Sequence, residues 1–74
     1  MDLTTFPAGH EARIVALDAE PALALRMSEL GLRVGAVVRV VHHARGGGRV
    51  VAVGADRIAL DVAACRGVHL APVP

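Results

Sequence analysis

A chain of 74 residues with a formal net charge of +1 buries only about 60% of the surface that its unfolded form exposes, so its core is thin. Stability of roughly 0.05–0.15 kcal/mol per residue leaves little to offset a deep, strained catalytic centre. Arginine supplies all eight basic residues against seven acidic ones, which excludes the basic footprint of a protein that captures phosphate backbones.

Hydrophobic residues make up 54% of the chain, yet Phe6 is its one aromatic, so Val, Leu, Ile and Ala must fill the interior, a composition that suits packed strands. Ahead of the first strand, Met1-Asp2-Leu3-Thr4-Thr5 has neither the basic n-region nor the long apolar h-region of a secretory signal. Glu11 to Leu17 alternates, with Ala12 and Ile14 on one side and Arg13 and Val15 on the other, the period of a half-buried strand. Asp18 then reads as a helix N-cap, with Pro21 inside the first turn.

On the helix that follows, Leu23, Met27 and Leu30 fall within about 60° of one another and form the stripe expected to face the core. Gly31 stops it in the manner of a left-handed cap, with Leu32 expected to fold back on the last turn. Ala36 to His43 reads as a Val-rich strand, Gly46-Gly47-Gly48 as a mobile hairpin tip, and Val50 to Val53 as the returning strand. A tight turn at Gly54-Ala55-Asp56 leads into Arg57 to Leu60, a helical turn near Ala63 to Cys65, and a last strand at Val68 to Leu70.

Five short strands and one helix of about three turns predict a single domain over residues 1–74: a mainly β, small, partly open SH3-like barrel, closed enough to hide its edges. The expected core is Ile14, Leu23, Met27, Leu30, Val38, Val40, Val51, Ile58, Leu60, Val68 and Leu70. Apolar runs broken by Arg13, Arg39 and Arg49 fall far short of the ~20 residues that span a bilayer. With one cysteine there is no internal disulfide. A cytoplasmic protein that does not insert into membranes and binds no nucleic acid is expected.

No residue pattern points to catalysis, and no enzyme activity is expected. Cys65 has no neighbouring base and reads as a small buried hydrophobe. Ser28, the sole serine, lies mid-helix without an elbow motif. His42 and His43 are the weak metal candidates, since adjacent strand residues point to opposite faces and cannot readily chelate one ion. His10 and His69 add no HxxxH or CxxC spacing. No cofactor is expected, and the triple glycine lacks the Lys-Ser/Thr sequel of a phosphate loop. Binding to another molecule is left as the function, and on the helix Leu25 lies about 160° from Met27, pointing away from the core stripe.

The order of landmarks resembles the FeoA family over nearly the whole chain. The likeness is carried by Gly9, Ala12 and Ile14, by Arg26-Met27-Ser28-Glu29-Leu30-Gly31-Leu32, by Gly35, and by Ile58-Ala59-Leu60 and Val68-His69-Leu70. The most specific piece is the helix end, where Met27 stands for the family's Leu and Val34 for its Pro. The tip Ala44-Arg45-Gly46-Gly47-Gly48-Arg49 departs from the family's Pro-x-Gly-Asp-Pro pattern, Cys65 stands for Ala, and Leu25 for a polar residue.

The resemblance implies an SH3-like barrel with a helix. It also implies a small cytoplasmic accessory protein of bacterial ferrous-iron uptake, acting by protein–protein contact with the cytoplasmic GTPase domain of a FeoB-type membrane transporter. The other implied reading is a free-standing SH3-like metal sensor, related to the C-terminal domain of iron-dependent repressors. A small interface needs an apolar anchor in a polar rim, and the helix offers Leu25 flanked by Ala22, Arg26 and Glu29, with Leu32 as a second anchor.

Overall fold

Ala12 and Ile14 are fully buried while Glu11, Arg13 and Val15 stay exposed, and this alternation fixes the face that the first strand, β1 (Glu11–Leu17), turns to the core. The same rule places Val38 and Val40 of β2 (Val37–His43) inside and Arg39 outside. In the computed structural model, which describes residues 1–74, the remaining strands are β3 (Arg49–Val53), β4 (Asp56–Leu60) and β5 (Val68–Pro72). The helices are α1 (Pro21–Glu29) and the short α2 (Val62–Arg66).

The fold is mostly β and SH3-like: the strands form one antiparallel sheet in the order β4-β3-β2-β1-β5, which curls without closing. Its ladder is irregular between Ile14 and Ala16 and between Val40 and His42, where bulges strengthen the local twist.

The segment before β1 completes the open side beyond β5. Leu3 N–H donates to the Val68 carbonyl at 2.9 Å, Leu70 N–H donates to the Met1 carbonyl at 2.7 Å, and Asp2 bridges His69. Leu3 and Phe6, neither foreseen in the core, are 1% and 4% exposed and anchor this strap. Arg49 ties it to the middle of the sheet. Its buried guanidinium donates to the carbonyls of Gly47 and Gly48, each at 2.9 Å, and to that of Thr4. Its Nε has no partner.

Two expectations about α1 need correction. The helix begins at Pro21 with Glu20 as its N-cap, and Asp18 does not cap it. Asp18 is held elsewhere, its N–H donating to the Gly67 carbonyl at 2.7 Å, while Pro21 keeps Glu20 extended and sets the first turn. At the other end Gly31, at φ +95°, makes a Schellman cap: Leu32 N–H reaches the Met27 carbonyl at 2.8 Å and Gly31 N–H that of Ser28 at 2.9 Å.

That cap exchanges the roles of the two leucines. Leu32 folds back beside Met27 and is 1% exposed, whereas Leu30, expected in the core, is 51% exposed. A stripe drawn at 100° per residue continues as if the helix continued; the left-handed glycine turns the chain and brings Leu32 inside.

The three glycines of the tip also divide their work. Gly46 and Gly47 hold positive φ values of 73° and 87°, as a reversing chain requires. Gly48 is buried for another reason: a Cβ there would lie 2.4 Å from the Leu60 carbonyl oxygen. β3 and β4 approach too closely at that point for any side chain.

Candidate functional site

Helix α1 turns Leu23, Met27 and Leu30 toward β4, and because Leu30 is not drawn into the core, an open apolar groove of about 340 Å³ is left between them. Ile58, Ala59 and Leu60 of β4 form the opposite wall, and Ala63 and Ala64 of α2 close one end. Eight of the ten lining residues are hydrophobic, the exceptions being Arg26 and Asp61. The Asp61 carboxylate is engaged as the N-cap of α2, accepting from Ala64 N–H at 2.8 Å.

Behind the groove, Cys65 is fully buried with Sγ 3.7 Å from the Leu60 carbonyl oxygen. Burial pushes its thiol pKa up, which keeps the thiol protonated and disfavours nucleophilic or metal-binding use. The groove therefore offers apolar burial with one cationic side chain at its wall, a binding surface in its chemistry.

Of the residues singled out for partner contact, Arg26 lines the groove. Ala22, Leu25 and Glu29 are exposed on α1 outside it, with Leu25 63% exposed. Leu32 cannot serve as a surface anchor, because the glycine cap buries it. Sequence reasoning missed Leu30, Ile58 and Ala59 as groove walls. The signal for Leu30 was present in Leu30-Gly31-Leu32: a Schellman cap packs the residue after its glycine against the helix, which leaves the residue before it outside.

His42 and His43 are both exposed at the end of β2, with His42 Nδ1 3.0 Å from the His43 carbonyl oxygen. No three residues among His, Cys, Asp and Glu come together in a group that could hold a metal ion. No helix is long and apolar enough to cross a membrane.

The family model of the FeoA domain matches residues 1–71. The FeoA protein of Chlorobium tepidum, solved in solution, is 27% identical and superposes with a TM-score of 0.91 over 100% of this chain and 71% of that one. Stenotrophomonas maltophilia FeoA, crystallised with zinc and described as a prokaryotic SH3 domain protein and a candidate activating factor of ferrous iron transport, is 32% identical. Its TM-score is 0.79 over 96% of this chain and 89% of that one. The metal-dependent transcriptional regulator MtsR shares the fold alone, with 8% identity and a TM-score of 0.85 over 99% of this chain and 36% of that one. No curated protein sequence matches the chain.

Proposed function

Because this chain belongs to the FeoA family, whose members are linked to ferrous-iron transport, we propose that it is a cytoplasmic regulator of iron uptake that binds the GTPase domain of a FeoB-type membrane transporter. One observation carries the choice of surface: a groove lined by eight hydrophobic residues runs beside a helix that also exposes Leu25. A partner that wraps α1 from the groove round to Leu25 on the outward side of the helix removes apolar surface from water at about 25 cal/mol per Å². Arg26 and Glu29 supply the polar rim that sets orientation.

Because α1 is rigid, docking on it orders few side chains, which favours it over the glycine tip as the contact. Leu25→Asp puts a charge where apolar burial is needed and touches nothing in the core. Titration of the purified cytoplasmic GTPase domain should show binding by the wild-type chain, weakened about tenfold or more by Leu25→Asp, with the NMR spectrum of the folded domain retained. Unchanged affinity in the folded variant removes Leu25 from the interface, and absence of wild-type binding removes the transporter assignment.

A further inference from the structure

We infer that the groove receives an extended segment of the partner, which adds to β4 as a sixth strand and carries an apolar side chain flanked by an acidic one. This deepens the reading above and rests on it for the identity of the partner. The inference starts from the state of the β4 edge. β4 is the terminal strand of the sheet, paired with β3 on one side alone. A two-residue loop, Gly54-Ala55, joins them, with Gly54 at φ 58° and no positive φ at Ala55, the pattern of a type II′ hairpin.

In such a hairpin Val53 and Asp56 close the ladder as a hydrogen-bonded pair. Alternation then directs Ile58 and Leu60 toward β3, and the N–H and C=O groups of Arg57 and Ala59 outward. The Leu60 carbonyl, which leaves no room for a Cβ on Gly48 of the neighbouring chain segment, independently fixes the same phase. No backbone hydrogen bond outside the regular elements uses any residue from Asp56 to Leu60. Arg57 and Ala59 therefore present two donors and two acceptors along an edge that runs into the apolar groove, where Ala59 is itself a lining residue.

An extended backbone satisfies these groups, and an extended segment places alternate side chains on one face. A side chain aimed inward meets Leu30, the C-cap of α1, and Ile58 of β4. Charge selects the flank. Arg26 at the groove and Arg57 on the edge make no side-chain hydrogen bond within the chain. Asp61, the one carboxylate at the groove, is occupied in capping α2. The free charge there is positive and complements an acidic residue on the incoming strand.

The test reads amide hydrogen exchange by NMR with two probes, the transporter's cytoplasmic GTPase domain and a blocked peptide of alternating Val and Thr with Glu at each end. Both should slow exchange at Arg57 and Ala59 about tenfold or more, with little change at Ile58. Ala59→Pro deletes an outward N–H without touching the β3 ladder and should weaken both complexes about tenfold, as should Arg57→Glu. Binding of the GTPase domain with unchanged exchange at Arg57 and Ala59 overturns strand addition while sparing the transporter reading. Protection by the peptide with no binding of the GTPase domain does the reverse. Protection that grows with the concentration of the chain alone assigns the edge to a second copy and overturns the partner segment, and protection by neither probe overturns the inference outright.

Discussion

The two edges of the sheet are treated differently. Beyond β5 the strap of residues 1–6 lies against the sheet, hydrogen-bonded through Leu3 and Leu70 and pinned by the buried side chains of Leu3 and Phe6. Beyond β4 nothing follows, and the backbone of Arg57 and Ala59 opens on an apolar groove. An exposed edge invites pairing with other chains, and proteins ordinarily cover it or guard it with charge. Here one edge is covered and the other carries the charge of Arg57 over apolar walls, so the difference separates stability from recognition.

The largest effect comes from trading the two edges against each other. Leu3→Ala on the covered side should cost about 2–5 kcal/mol, a large share of what a chain this small holds. Leu30→Ala beside the open edge removes a side chain that is already 51% exposed and should cost well under about 2 kcal/mol. Denaturant unfolding of the two variants decides it, and equal costs would erase the distinction. Next comes the link between strap and sheet: Arg49→Met keeps much of the volume but leaves the carbonyls of Gly47, Gly48 and Thr4 without this donor, and should cost about 1–3 kcal/mol by the same measurement.

The smallest effect is a titration. Hydrogen bonds from the Thr4 hydroxyl and then from Thr4 N–H hold the Asp2 carboxyl below its ordinary pKa of 3.8. A pKa depressed by folding adds stability above the unfolded value, and that increment is lost as the pH falls through the folded value. Thr4→Val should therefore raise the Asp2 pKa toward 3.8, read from its carboxyl carbon shift, and flatten the acid limb of the stability curve below about pH 4.

Most of the covered architecture was legible from local pattern. Alternation located β1 and β2, and turn residues located the hairpins and α2, because those signals depend on neighbours a few residues apart. The strap was not legible, since Leu3 and Phe6 show no period and the segment is held by Val68 to Leu70, far away in the sequence. The burial of Arg49 was not legible either, because its guanidinium reaches the carbonyl of Thr4, 45 residues away in the sequence, as well as those of Gly47 and Gly48. The groove was half visible. Arg26 was identified, but Leu30 and Leu32 exchanged places because helical periodicity does not include the turn that ends the helix.

Pairing of β1 with β5, from Ala12 opposite Pro72 to Leu17 opposite Val68, also governs the order in which the molecule can assemble. During synthesis the β2–β3–β4 meander can pair as it emerges, whereas Ile14 and Leu3 wait for the final strand before they can leave water. Contacts between distant parts of a chain raise the entropy cost of the transition state and slow folding. The domain is thus expected to acquire its native packing late, as one event triggered by the pairing of β5 with β1.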